Sequence, residues 1–243
     1  MSKDEFSEKI GRLTRSKTYL QFCKEVYGYN EYLFNMMDRE QIGFVLNSIP
    51  ISSEDTILDL GCGSGGILNL LVAKYRCHGI GIDQLDRDIL KTHGKTTYIR
   101  ADIDRISNCN LKPSIILSID SLYFSKDLNH LVMQLVNTGS QKMYFFYSQY
   151  LFDEETGDKN ILRSNNTKIA EALRNNGIPF RTIDYSKNER ILYNKSLEAL
   201  QKYKEAFEAE GNADLYEQKY KEDLLGMELY QKGLASRYLY IID

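Results

Sequence analysis

One short run constrains this chain more than any other. Thr56-Ile57-Leu58-Asp59-Leu60, rich in strand formers, leads straight into Gly61-Cys62-Gly63-Ser64-Gly65-Gly66. Glycine admits positive φ and lets a ligand come close to the backbone. The residues behind it, with Ile67, Leu70, Leu71 and Tyr75 on one face, predict a helix. A strand, a glycine turn and a helix in that order aim the helix's free N–H groups and positive dipole end at the loop. Such a loop suits a polar or anionic ligand part, for example a carboxylate or a pyrophosphate.

The alternation continues along the chain. His78 to Asp83 predicts a second strand, Gln84 to about Thr92 a helix, and Thr97 to Asp102 a third strand. Ser114 to Asp120 predicts a fourth, apolar enough to be covered on both faces. A helix carrying Leu128, Leu131, Val132, Leu135 and Val136 follows, then a fifth strand from Met143 to Tyr147. A helix over 165–176 is stopped by Gly177 and Pro179, and Phe180 to Tyr185 predicts a sixth strand. Strands alternating with helices mean an α/β fold with a mostly parallel sheet covered on both faces.

The ends of the chain read differently. Tyr19, Phe22, Cys23, Val26 and Tyr27 share one helical face, Tyr27 to Asn30 breaks it, and a second helix runs to about Ile49, before Pro50. Near the other end, Tyr193, Leu197, Leu200, Tyr203 and Phe207 share a face, and Tyr216, Tyr220, Leu224, Met227 and Leu234 roughly another. Glu210-Gly211-Asn212 is a turn signal between them, and Arg237 to Ile242 predicts a last strand. The predicted organisation is an N-terminal helical cap over 1–50, a ligand-binding core over 51–186, a helical insertion or lid over 187–235, and a closing core strand over 236–243.

Composition narrows the partners. With 31 Lys and Arg against 34 Asp and Glu, the net charge of −3 provides no footprint for a nucleic-acid backbone. No apolar run reaches the length of a membrane span. The first ten residues are polar and mixed in charge, unlike a secretory signal. The four cysteines show no CxxC and no clustering with histidine, so they read as reduced thiols of a cytoplasmic protein rather than as metal ligands. Eighteen tyrosines and no tryptophan indicate either a tyrosine-rich pocket or a coding bias shared with Lys, Ile and Asn.

Acids at the ends of the predicted strands refine the ligand. Gly61, Gly63 and Gly66 spell the G-x-G-x-x-G fingerprint of dinucleotide sites. Asp59, two residues before the first glycine, would repel a pyrophosphate and suits a ligand carrying an ammonium and a sulfonium. Asp83 ends the second strand, where a carboxylate can accept hydrogen bonds from both hydroxyls of a ribose. Asp102 ends the third strand, where it and the Ile103 N–H can meet adenine, and Asp120 ends the fourth. The plain alternative is that aspartates begin turns and cap helices after strands.

Asp59-Leu60-Gly61-Cys62-Gly63-Ser64-Gly65, Gly81-Ile82-Asp83, Ala101-Asp102 and Ser118 to Phe124 resemble the motif series of class I S-adenosyl-L-methionine-dependent methyltransferases. The resemblance covers roughly residues 30–150. It implies a seven-stranded Rossmann-like sheet of order 3-2-1-4-5-7-6 with the last strand antiparallel. It also implies a cofactor site of Asp59, Gly61, Cys62, Gly63, Asp83, Gln84, Leu85, Asp102, Ile103 and Asp120, with Leu85 against the adenine face. Asp120-Ser121-Leu122-Tyr123 departs from the Asn/Asp-Pro-Pro-Tyr motif used on base and glutamine amines, which disfavours a nucleic-acid or translation-factor substrate. The helical ends resemble those of the small-molecule branch, where such pieces cover the acceptor.

The expected activity is therefore transfer of a methyl group to a small nitrogen or oxygen nucleophile. Tyr123, Tyr147 and His130 are the candidates for a catalytic role. Tyr19, Tyr29, Tyr32, Tyr123, Tyr147 and Gln149 are the candidates for contact with the acceptor. The alternatives are an RNA or protein methyltransferase, a nicotinamide-dependent oxidoreductase, and a binding protein that keeps the site without catalysis. A monomer or a homodimer fits. His78 and His93 fall at the far end of the sheet.

Overall fold

The computed structural model describes residues 3–85, 94–153 and 157–243. The N-terminal fifty residues hold three helices, α1 (Lys3–Leu13), α2 (Lys17–Val26) and α3 (Arg39–Asn47). The core then runs β1 (Thr56–Leu60), α4 (Gly66–Tyr75), β2 (His78–Asp83), β3 (Thr96–Arg100), β4 (Ile115–Ile119), α5 (Leu128–Asn137), β5 (Lys142–Tyr150), α6 (Lys168–Asn175) and β6 (Arg181–Asp184). Two long helices, α7 (Ser186–Ala209) and α8 (Ala213–Gln231), stand between β6 and the final strand β7 (Ala235–Ile242).

The seven strands form one sheet in the order β3-β2-β1-β4-β5-β7-β6. β3, β2, β1, β4 and β5 are parallel, and β7 inserts antiparallel between β5 and β6. This is the order and closing strand that the resemblance implies. The β1 strand has β2 on one side and β4 on the other, so strand order reverses at its end. In open α/β sheets that reversal opens a ligand crevice outside the carboxyl ends of the strands.

Two apolar layers cover the sheet. On one face Ile57, Ile115, Leu117 and Phe146 pack with Phe22, Val45, Leu68 and Leu200 from the helices. On the other Leu58, Ile116, Phe145 and Tyr240 pack with Leu131, Leu135 and Leu173. The β4 strand is buried along its whole length, as its apolar run predicts.

Three elements differ from their sequence reading. The second N-terminal helix begins only at Arg39, where the Asp38 carboxylate accepts the Gln41 N–H at 2.9 Å and caps it. Residues 28–38 instead form a strap across the sheet edge. The fifth strand reaches Tyr150 because β7 pairs with it from Met143 to Tyr150. The buried stripe of α8 is Leu215, Tyr216, Asp223, Gly226, Leu229 and Tyr230. It escaped an apolar pattern because its middle is an acid and a glycine. Asp223 is satisfied there by the Ser196 hydroxyl at 2.5 Å and Lys219 at 2.6 Å. Of the helix expected from Gln84 to about Thr92, Gln84 and Leu85 form a bend and the rest lies outside the described residues.

Gly226 sets the approach of α7 to α8. A Cβ there would overlap the Tyr193 ring, whose hydroxyl is tied to that of Tyr150 at 2.9 Å. Helix propensity alone favours Gly226→Ala by about 1 kcal/mol. Overpacking costs about 1–3 kcal/mol. The expected outcome is a lower Tm for Gly226→Ala in a thermal melt. A rise would mean that the hairpin is not packed as described.

Candidate functional site

The glycine turn is built by β1 and β2 together. The Gly61 and Cys62 N–H groups donate to the Ile82 carbonyl at 2.8 and 3.1 Å, which folds the turn back over the end of β2. Gly61 has φ of 74°, and a Cβ there would overlap Ser121. Ser121 in turn donates from its hydroxyl to the Leu60 carbonyl at 2.5 Å. Only glycine fits where the ends of β1 and β4 meet this closely. No side chain caps α4 at Gly65, so its first turn keeps its N–H groups for another partner.

Asp59 and Asp83 lie under this turn. Asp59 is 3% exposed, and among the described residues no donor reaches its carboxylate. Burial, with the Asp83 charge second, pushes its pKa up to about 7. Asp83 accepts the Gly63 N–H at 2.8 Å and the Leu85 N–H at 3.0 Å. Burial raises its pKa too, while these N–H bonds pull it back. Cys62 and Gly63 complete the turn, and burial holds the Cys62 thiol well above its usual pKa. Leu85 is buried against Ile10 of α1 and Phe34 of the strap. The Gln84 carbonyl accepts from Arg100 at 3.2 Å.

The acids that follow β3 and β4, just outside the strands, have work of their own. Asp102 caps the 3-10 turn Ile103–Cys109 by accepting the Asp104 N–H at 3.2 Å, and Ile103 is buried in the core. Asp120 sits in the left-handed region with φ of 52°. Its two oxygens face the Arg237 guanidinium at 2.6 and 3.0 Å, and one of them also accepts the Met36 N–H at 2.8 Å. Arg237, on β7, is fully buried. Its other contacts are Gln41 at 2.7 Å, Ser148 at 2.7 Å and Glu189 at 3.3 Å. Burial would lower the Arg237 pKa, but the Asp120 and Glu189 charges outweigh it and raise it.

Glu189, from the first turn of α7, is buried and accepts from the hydroxyls of Ser148, Tyr150 and Tyr230. Burial raises its pKa, opposed by Arg237. Asp120, Glu189 and Arg237 thus form a buried cluster with one more acid than base. Sequence reading missed Arg237 and Glu189. The available signal was a lone arginine opening an otherwise apolar strand.

The strap joins these two halves. The Tyr32 carbonyl accepts the Ser64 hydroxyl at 2.9 Å, the Leu33 carbonyl accepts the Tyr19 hydroxyl at 2.7 Å, and Phe34 lies over Gly63. Tyr19 is accordingly a buried residue of α2 that anchors the strap, stacked on Phe34 at 5.3 Å. Tyr29 and Tyr32 are half-buried against the core. Tyr123 is 46% exposed in the turn after β4, its ring 6.1 Å from that of Tyr147. Gln149 is buried and joins β5 to α6 by accepting the Lys168 N–H at 3.2 Å. His130 is exposed, its N–H held by Asp127 at 3.0 Å, and His78 is exposed at the start of β2. His93 lies outside the described residues.

Other features of the surface do not compete. A cleft of about 490 Å³ is lined by Arg12, Arg15, Ser16, Lys17 and Glu210 to Asn212, none of them at the strand ends. There Arg12 is paired with Asp214, and Glu210 accepts from the Ser16 and Thr18 hydroxyls. Among the described residues, no cluster of three or more His, Cys, Asp or Glu could hold a metal, and no helix is long and apolar enough to cross a membrane.

Opposite stability effects follow for the two halves. The folded Asp59 pKa lies above its ordinary 3.8, so stability falls as pH rises from 3.8 towards 7. Asp59→Asn is expected to raise the Tm of the ligand-free protein by several degrees at pH 8, the gap narrowing at pH 5. Arg237→Met leaves two buried acids without their cation and is expected to cost about 3–5 kcal/mol. Thermal melts at both pH values read both effects.

No protein-family model matches the chain, and no curated protein matches it in sequence. Solved structures do. A cyclopropane synthase of Mycobacterium tuberculosis superposes with a TM-score of 0.71 at 15% identity, over 97% of each chain. Phosphoethanolamine N-methyltransferase 2 of Haemonchus contortus, in complex with S-adenosylhomocysteine, also gives 0.71 at 15% identity, over 97% of this chain and 59% of that one. A SAM-dependent methyltransferase of Geobacter sulfurreducens, also with S-adenosylhomocysteine, gives 0.60 at 12% identity, over 92% and 97%. The chain has the fold of the class I S-adenosylmethionine-dependent methyltransferases, and the solved structures it is similar to include enzymes acting on small molecules.

Proposed function

We propose that this protein is an S-adenosylmethionine-dependent methyltransferase whose acceptor is a small molecule. The observation that carries the reading is Asp59, a buried carboxylate with no donor among the described residues, beside the glycine turn at the switch in strand order. A buried charge of this kind is stable only beside a cation. The ammonium and sulfonium of S-adenosylmethionine match it, and a pyrophosphate does not.

The neighbouring residues fit the remainder of that ligand. The glycine turn offers N–H groups to the amino-acid end, and Asp83 offers acceptor oxygens to a ribose. Leu85, which the resemblance sets against adenine, is covered here by Ile10 and Phe34. Bound S-adenosylmethionine supplies a methyl group on positively charged sulfur, which reacts by in-line displacement. The chain's task is then to orient the acceptor, exclude water and stabilise the charge that moves. The strap from Tyr32 to Met36 and the α7–α8 hairpin are suited to exclude water, since both are tied to the strand ends. Tyr123, in the turn after β4, and Tyr147, within β5, have their rings 6.1 Å apart and remain the candidates for the acceptor side. His130 is exposed on α5, and only its backbone N–H is engaged, by the Asp127 cap.

Fold alone does not decide chemistry, because this architecture carries cyclopropane synthesis as well as N-methylation. Ligand-shifted melting decides the cofactor class. S-adenosylhomocysteine at 100 times its Kd is expected to stabilise the protein by about 2.7 kcal/mol, with no shift from NADH. Asp59→Asn is expected to weaken that shift. A shift from NADH alone would replace this reading with the oxidoreductase one.

A further inference from the structure

The glycine turn has a prop beneath it, supplied by the edge strand β3. Resting on the methyltransferase reading, we propose that Tyr98 is a positioning residue of the cofactor site. Lying across Gly81, it fixes the first turn of α4 where the free N–H groups of that turn meet the carboxylate of the ligand's amino-acid end.

Three observations carry this. First, β2 is bare on the face that α4 covers, where its residues are Gly79 and Gly81. A Cβ on Gly79 would meet Val72 and Leu68 of α4 at 2.7 and 3.1 Å, so the helix rides low on the sheet. A Cβ on Gly81 would meet the Tyr98 ring at 2.6 Å and the Cys62 Sγ at 2.7 Å. Glycine inside a strand weakens it and marks a close approach. Here the groups that approach are Tyr98 and the turn itself.

Second, register aims Tyr98 at the site. Asp59 of β1, Gly81 of β2 and Tyr98 of β3 are partners across three adjacent parallel strands. Partners in such strands share a face, so the ring from the sheet edge reaches over Gly81 towards β1. Its hydroxyl ends against Gly65, which precedes α4 with φ of 82°. A Cβ on Gly65 would overlap that hydroxyl.

Third, the hydroxyl is bonded to α4 itself. Tyr98 donates to the Asn69 Oδ1 at 2.9 Å, and the Asn69 N–H donates to the Gly65 carbonyl at 2.9 Å. Asn69 is buried on a helix whose other buried residues are apolar or glycine. Burial raises the Tyr98 pKa, with Cys62 and Asp59 next, so the phenol keeps its proton for this bond.

No side chain caps α4, so the support under Gly65 sets the aim of the first turn. Hydrogen bonds from those N–H groups to a carboxylate weaken steeply when misaligned. A loosened turn therefore loses affinity for the carboxylate and keeps the contacts to the remainder of the ligand.

The test compares S-adenosylhomocysteine with S-adenosylthiopropylamine, which keeps the adenosine, the sulfur and the amine but lacks the carboxylate. Each is titrated into the protein and its variants, followed by NMR line positions. The unaltered protein is expected to prefer S-adenosylhomocysteine. Tyr98→Phe keeps the ring over Gly81 and removes the hydroxyl. It is expected to weaken S-adenosylhomocysteine about fivefold and S-adenosylthiopropylamine less than about twofold. Tyr98→Leu is expected to give the same pattern with a larger loss. Equal losses for the two ligands, or an unchanged S-adenosylhomocysteine affinity in Tyr98→Phe, would make Tyr98 a packing residue of the edge strand and overturn the proposal. Equal affinity of the unaltered protein for both ligands would overturn it too. Failure of the unaltered protein to bind either ligand is a separate result and would remove the methyltransferase reading instead.

Discussion

The carboxyl edge of this sheet buries more negative charge than the chain itself neutralises. Taking a carboxylate out of water costs several kcal/mol unless a cation or several donors replace the solvent. The edge meets that demand unevenly. Asp120 receives a guanidinium and a backbone N–H, Glu189 receives a share of the same guanidinium and three hydroxyls, and Asp83 receives N–H groups of the glycine turn. Asp59 receives nothing among the described residues. An isolated buried acid is a poor choice for stability, and this is the ground on which we propose a positive ligand partner for it.

The same electrostatics organise the covering elements. Arg237 enters from the closing strand and gathers α3 through Gln41, β4 through Asp120, β5 through Ser148 and α7 through Glu189. Asp120 passes this order on to the strap through the Met36 N–H, and the strap then crosses the glycine turn at Ser64. One ion pair therefore connects both ends of the chain to the carboxyl edge of the sheet. A cluster of this kind gains little net free energy over an apolar core of equal volume. What it provides is a unique arrangement of five elements around one point.

The sheet was legible in the sequence because its signals are local. Short β-rich runs, glycine turns and amphipathic helices follow from neighbouring residues, and so does the placement of Asp59, Gly61 and Asp83 under one turn. The strap was not legible. Residues 28–38 contain apolar and aromatic side chains that resemble a helix start, and only the distant Ser64, Tyr19 and Asp120 hold them extended. Arg237 and Glu189 were hidden for the same reason. Each looks like an ordinary surface charge until a partner 117 or 48 residues away accounts for its burial. Asp102 shows the reverse case, since the local capping rule describes its carboxylate fully as far as the Asp104 N–H is concerned.

Fold, edge charge and covering strap combine into one account, in which two positive centres of a bound nucleoside take the place that protein donors leave open at β1. A crystal structure of the protein with S-adenosylhomocysteine tests this most directly. The account predicts the ligand's amino group within hydrogen-bond reach of Asp59 and its ribose hydroxyls on Asp83. A nucleoside lodged away from the glycine turn, with Asp59 still bare, would contradict it.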